Sequence, residues 1–247
     1  GVCVKREFYL RSDQSNKFWT VEVDGCDVVS ANGRIGAKPR ETRHSYADPA
    51  AAQAQADKDV AAKLKKGYVE GALDALPAYA PPDWANLPMN EDTFWRVIAL
   101  FNWKHTGDDD AVLAPATKAL AQMPFASIAE FHRILSRKLY DLDTEAHARE
   151  IGEDAYTDDE GAYFSVDWFL YARCCVVANG PAFYDKVLKD PREFPKDVEF
   201  EALLYLPSNA VALQQGREPD QTEDFGDSVS YETFSNRAGW GASALAD

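Results

Sequence analysis

The hydrophobic periodicity of this sequence changes once, and that change most constrains the fold. Between residues 3 and 46, apolar and polar residues alternate in short runs, as in Lys17-Phe18-Trp19-Thr20-Val21-Glu22-Val23. Such alternation is typical of strands, and Asp24-Gly25 and Asn32-Gly33 are typical of hairpin turns. Beyond residue 48 the apolar spacing is typical of helices. The sequence therefore predicts an α+β fold in which a small antiparallel sheet precedes all the helices.

One helix is predicted to cover the sheet, because a single small sheet cannot bury its apolar face alone. Asp48 is a capping residue before Pro49, and the Ala-rich segment that follows ends at Gly67. The last turn carries Lys63, Lys65 and Lys66. These lysines either compensate the helix dipole or contact phosphate groups, and the sequence leaves both interpretations open.

A proline-rich stretch divides the chain, and we predict a linker over residues 72–88. Helical signals then dominate residues 89–216, which we predict to be an all-α domain. We expect helix caps at Asn90, Ser127 and Asp197, a break or a kink of the helix at Pro115, and a helix over residues 144–156. Residues 166–178 are apolar except for Asp167 and Arg173, which predicts a buried central helix with a structural ionic network.

Residues 217–247 form a polar C-terminal tail that carries four large aromatic residues. We predict that the tail is extended yet ordered, because aromatic side chains of this size can anchor it in grooves of the helical domain. The four anchors are Phe225, Tyr231, Phe234 and Trp240.

Charge is distributed unevenly between the two halves. Residues 1–78 carry 12 basic and 11 acidic residues, a net charge of +1, whereas residues 79–247 carry 14 and 30, a net charge of −16. An acidic surface repels nucleic acid, so any contact with DNA or RNA is expected from the first half. The acidic half either confers solubility or belongs to an inhibitor-like protein that resembles nucleic acid electrostatically.

The first seventy residues resemble the WGR domain, best known from poly(ADP-ribose) polymerases and also present in bacterial proteins. The resemblance rests on Ser15-Asn16-Lys17-Phe18-Trp19, the hairpin at Gly25, Gly33-Arg34-Ile35-Gly36, the Ala-rich helix and Lys65-Lys66-Gly67-Tyr68. It implies a WGR domain over residues 1–71. The family is named after a Trp-Gly-Arg motif, and the corresponding residues here are Asn32-Gly33-Arg34. In the polymerases the tryptophan of this motif stacks at a DNA end, whereas Asn32 has no ring. The resemblance therefore implies weakened DNA-end binding.

Residues 89–216 resemble a bacterial helical domain of unknown function that is often found beside WGR. The matching residues are Met89 to Trp95, Thr157 to Phe164 and Phe200 to Tyr205. No activity follows from this resemblance. The residues that we expect to contact nucleic acid or a protein partner all lie in the first half: Lys17, Trp19, Asn32, Gly33, Arg34, Lys38, Lys65 and Lys66.

Three classes of function stay open. No phosphate loop, nucleophile elbow, zinc motif or ADP-ribosyltransferase domain is recognisable, which favours a non-enzymatic binding protein with no metal or cofactor. An acidic inhibitor or immunity-like protein is the second class. A carboxylate- or metal-dependent hydrolase is the third, with a candidate pocket at Asp158, Asp159, Asp167 and Arg173. Without an apolar run of about 18 residues or a signal peptide, we expect no membrane contact and a cytoplasmic location.

Overall fold

The computed structural model describes residues 4–12, 15–76, 80–159, 161–242 and 244–245. The chain divides into two compact units, residues 1–82 and 83–247, and the division lies inside the predicted linker range. The first unit contains strands β1 (Arg6–Arg11), β2 (Asn16–Asp24), β3 (Asp27–Arg34), β4 (Arg40–Ser45) and β5 (Val69–Glu70), and helix α1 (Pro49–Lys65). The second unit is helical, so the predicted α+β fold is confirmed.

The sheet has the order β4-β3-β2-β1-β5, with every pair antiparallel. Asp24 pairs with Asp27 around a two-residue turn in which Gly25 has a φ of 61°, as the sequence predicted. The predicted turn at Asn32-Gly33 is wrong, because both residues pair within β3. The chain instead turns at Ile35-Gly36, where Gly36 has a φ of 82° and the Ala37 amide donates to the Arg34 carbonyl.

Helix α1 covers one face of the sheet. Its predicted cap is confirmed, since the Asp48 carboxylate accepts a hydrogen bond from the Ala51 amide at 2.8 Å. Beneath the helix lies a small apolar core formed by Phe8, Trp19, Val21, Val28, Ala52, Ala56 and Val60. Short strand β5, which the sequence did not indicate, pairs with β1 and returns the chain to the sheet.

The second unit contains the helices α2 (Glu91–Ile98), α3 (Asp109–Leu120), α4 (Phe125–Asp141), α5 (Glu145–Ala148), α6 (Val166–Ala178), α7 (Pro181–Lys189) and α8 (Leu206–Gln215). They share one large core, in which α3 and α4 contact α8 and α4 contacts α6. Asn90 caps α2 as predicted. No helix of the described residues is both long enough and apolar enough to cross a bilayer.

Several predicted details of the helical unit are wrong. Helix α3 continues through Pro115, so it is not broken there, and α4 begins at Phe125 rather than at a Ser127 cap. The ring of Phe125 stacks on Phe225 at 5.9 Å, a contact that the earlier start makes possible. Helix α5 is only four residues long, so the predicted helix over residues 144–156 is wrong in its extent, and Gly152 within that range has a φ of 111°. Asp197 does not cap a helix, since its carboxylate accepts a hydrogen bond from the Glu153 amide at 2.7 Å.

The tail beyond α8 packs on the core of the second unit. Trp240 is buried, and the rings of Phe225, Tyr231 and Phe234 are partly buried against the same core. Trp240 contacts the rings of Phe234 at 4.5 Å and Phe169 at 6.0 Å. All four aromatic residues thus contact the helical core.

Candidate nucleic-acid interface

Cross-strand pairing places three cationic residues on the face of the sheet that carries α1. Residues directly opposite each other on antiparallel strands point to the same face. Trp19 packs under α1, so its partner Asn32 and the next partner along that row, Arg40, share this face. Two residues further along the strands, Lys17 pairs with Arg34. Asn32 is therefore surrounded by cationic neighbours.

The C-terminal end of α1 adds lysines to the same region. The Nζ atom of Lys63 lies 5.2 Å from the ring centroid of Trp19 and 4.9 Å from that of Tyr68. Burial lowers the pKa of Lys63, repulsion by the charges of Lys66 and Lys17 lowers it further, and attraction by the Asp59 carboxylate partly opposes this shift. Lys66 at the end of α1 and Lys17 in strand β2 are thus each within electrostatic range of Lys63.

We call Lys17, Arg34, Arg40, Lys63 and Lys66 the cationic cluster. Within the described ranges, no carboxylate oxygen lies within 4.0 Å of their charged nitrogens. Other arginines of the same unit are neutralised, since Arg6 pairs with Glu70 at 2.7 Å and Arg43 pairs with Asp27 at 2.7 Å. The cluster is thus a local concentration of positive charge in a unit that is nearly neutral as a whole.

Trp19, Asn32 and Gly33, which the sequence predicted to bind, lie in different environments. Trp19 is only 5% exposed and belongs to the core, so its ring is covered, whereas Asn32 is exposed beside Arg40. Gly33 does not need a positive φ, but a Cβ atom there would lie 3.1 Å from Cε1 of Phe18. Gly33 therefore leaves room for the Phe18 ring, and a larger residue there would require that ring to move by a few tenths of an ångström.

The two remaining predicted residues of this unit are exposed. Lys38 lies between β3 and β4, and its carbonyl oxygen is near Gly33. Lys65 is the last residue of α1. Of the eight residues predicted to bind, the structure places Lys17, Arg34 and Lys66 in the cationic cluster with Asn32 among them. The set of eight does not include Arg40 or Lys63, although the sequence had left phosphate contact open for both; the strand register and the end of α1 determine their positions.

The four residues of the predicted pocket have different surroundings. Asp158 is 75% exposed and pairs with Arg149 at 2.6 Å, and Asp159 is also exposed. The predicted ionic network in α6 is wrong, because Asp167 is exposed whereas Arg173 is fully buried. The Arg173 guanidinium instead donates to the carbonyls of Leu139 and Tyr231 and to the Thr233 hydroxyl. Its role is to hold the tail.

A buried carboxylate that the sequence did not indicate holds the tail as well. The Asp143 side chain is fully buried and accepts hydrogen bonds from the amides of Phe234 at 3.2 Å and Asn236 at 2.9 Å. It also accepts one from the indole nitrogen of Trp240 at 3.0 Å. We call Asp143 and Arg173, with the tail groups bonded to them, the tail clasp. No local signal separates Asp143 from Asp141 and Glu145, the partly buried carboxylates that flank it in sequence.

Known proteins match the two halves of the chain separately. Residues 6–73 match the WGR domain, which is known as a nucleic-acid-binding module, and residues 89–212 match a family described as protein of unknown function (DUF4240). Protein YehF of Escherichia coli is 39% identical over 69 residues, which are 28% of this chain and 25% of that protein. The uncharacterized E. coli protein YfeS is 30% identical over 67 residues, or 27% and 28% of the respective chains.

The chain thus spans about a quarter of the length of the curated relatives that it matches. A crystal structure of a Bacteroides fragilis protein from the Northeast Structural Genomics Consortium is 21% identical, with a TM-score of 0.30 over 51% of this chain and 45% of that chain. The DUF4240 match extends over half of the chain. The protein therefore carries an N-terminal WGR domain and belongs to the DUF4240 family.

Proposed function

We propose that this protein is a non-enzymatic accessory protein whose WGR domain binds the phosphate backbone of nucleic acid through the cationic cluster. The observation that carries the proposal is the set of cations around Asn32 that have no carboxylate partner among the residues the structure describes. Phosphate contacts by lysine and arginine supply most of the affinity of sequence-independent binding. The known nucleic-acid binding of WGR modules supports the same assignment.

Two features are expected to keep this binding weak. Asn32 has no ring, so the base stacking worth about 1–3 kcal/mol is missing. Residues 79–247 also carry a net charge of −16, which repels the polyanion. We therefore expect the isolated first unit to bind duplex DNA more tightly than the full chain.

A salt titration tests the role of the cationic cluster. Binding of the full chain and of residues 1–82 to a labelled blunt duplex is measured by fluorescence anisotropy between low and physiological salt. Lys17→Ala and Arg34→Ala should each weaken binding and reduce the slope of log K against log salt by about 0.9. The fragment ends at residue 82 because β5 pairs with β1, and the Leu73 amide donates to the Glu7 carboxylate at 3.0 Å.

Lys58→Ala is the matched control, because it removes the same charge from an exposed position of α1 outside the cluster. It should leave the slope unchanged. Equal effects of Lys17→Ala and Lys58→Ala would show that diffuse charge, not the cluster, attracts DNA. Absence of binding by residues 1–82 would reject nucleic acid and leave a protein partner as the ligand of this unit.

A further inference from the structure

A cleft of about 390 Å³ opens in the helical unit, and none of its described lining residues belongs to the cationic cluster. Its walls come from α4, α6, α8, the segment 201–205 and the tail segment 221–232. A volume of this size is typical of sites for small molecules or single side chains. Asp167 is the only member of the predicted pocket among the lining residues described.

The charged side chains in the cleft walls are all acidic: Asp167, Glu201, Glu223 and Glu232. Glu223 pairs with Arg217, and Glu201 accepts a hydrogen bond from the Tyr205 hydroxyl. Among the described residues, no lysine or arginine nitrogen lies within 4.0 Å of the carboxylates of Asp167 or Glu232. Two negative charges in the cleft thus lack a cationic partner.

Nearby basic groups do not neutralise the cleft. Arg173 attracts Glu232 electrostatically, but its guanidinium is fully buried and bonded to the Leu139 and Tyr231 carbonyls. His132 lines the cleft, and burial followed by repulsion from Arg133 lowers its pKa, so its ring is neutral at pH 7. The cleft therefore retains a net negative charge.

Aromatic side chains complete the walls: Tyr171, Tyr205, Phe225 and Tyr231. The Phe225 ring is held in place by His132, which stacks on it with centroids 4.8 Å apart. Aromatic faces attract organic cations, and carboxylates beside them add a charge partner. The described residues include no group of three His, Cys, Asp or Glu side chains that could hold a metal ion. The combination selects an organic cation rather than a hard metal ion.

We propose that this cleft binds an alkylammonium group, with its charge between Asp167 and Glu232 and its methylene chain against the aromatic walls. Such a group occurs on free aliphatic amines and on lysine side chains of other proteins. Both sources present the same alkylammonium group. The volume of the cleft admits one flexible chain but not a folded segment. This inference is independent of nucleic-acid binding by the WGR domain.

Isothermal titration of the full chain tests the proposal with cadaverine, spermidine and Nα-acetyl-lysine methylamide, and with the neutral analogue 1,5-pentanediol. We expect saturable binding of one amine per chain and no binding of the diol. Similar affinities for cadaverine and blocked lysine would identify a protein side chain as the natural source. Binding of the two polyvalent amines without blocked lysine would identify a free amine.

Two matched variants separate the cleft from diffuse attraction to an acidic protein. Glu232→Gln should weaken amine binding by at least about fivefold, because it removes an unpaired charge from the wall. Asp159→Asn removes the same charge from an exposed site outside the cleft and should change the affinity less than about twofold. Unsaturable binding, or equal losses in both variants, would overturn the proposal. Both positions are exposed, so unchanged melting curves verify the fold.

Discussion

Replacing Asp143 by asparagine should release the tail from the helical unit. Asp143 is fully buried, and its Oδ1 atom accepts from the Phe234 amide and the Trp240 indole while Oδ2 accepts from the Asn236 amide. An asparagine can keep the oxygen at the Oδ1 position. Its amide nitrogen then faces the Asn236 N–H, so one hydrogen bond becomes a contact between two donors.

The expected cost follows from these three bonds. A hydrogen bond to a charged group contributes about 1.5–3 kcal/mol, and a buried donor left without an acceptor adds to the loss. Asp143→Asn should therefore lower the free energy of unfolding of the helical unit by about 3 kcal/mol. For a unit of this size the melting temperature should fall by roughly 6–12 °C. The nearby guanidinium of Arg173 also loses a stabilising negative neighbour.

The measurement is thermal unfolding followed by circular dichroism, together with the difference in tryptophan fluorescence between the chain and its Trp240→Phe variant, because Trp240 is one of six tryptophans and only this difference reports on the tail. Asp158→Asn is the matched control, because Asp158 is 75% exposed and its pair with Arg149 is a surface ion pair worth about 0–1 kcal/mol. The control should melt within about 3 °C of the wild type. If Asp143→Asn melts no lower than this control, the tail clasp does not stabilise the unit as argued.

Two further predictions concern DNA ends and pH. Asn32→Trp in residues 1–82 should tighten binding to blunt DNA ends by about 1–3 kcal/mol, because it introduces a stacking ring beside the cationic cluster. A closed circular duplex, which has no ends, is the control in the anisotropy assay. Equal tightening on both DNAs would contradict end stacking. Burial lowers the pKa of His132 and of His147. Below pH about 6.5 the unfolded chain therefore binds more protons than the folded chain. The free energy of unfolding should decrease as the pH falls below this value. Urea midpoints between pH 7.5 and 5.0 measure this loss, and His132→Phe should reduce it; a variant with the full wild-type pH dependence would show that His132 does not contribute.

Local sequence determined much of the first unit. The alternation of apolar and polar residues predicted strands β1 to β4, and Asp48 and Gly67 predicted the two ends of α1. These signals are local, because a strand period, the Asp48 cap and the φ of 85° at Gly67 each depend on a few adjacent residues. The family resemblance then fixed the arrangement of these elements. What local sequence could not determine is the register, which moved the turn from Asn32-Gly33 to Ile35-Gly36 so that Gly33 accommodates Phe18.

Tertiary structure alone decided the environment of the charged side chains in the second unit. Asp143 and Asp158 are similar in sequence terms, but one is buried under a tail that lies 91 to 97 residues away and the other is exposed. Asp167 and Arg173 share one helix, but the tail covers only the arginine. The cleft likewise combines α4, α6 and the tail. Contacts between distant segments leave no periodic signal, because they depend on how helices pack and not on the spacing of neighbouring residues.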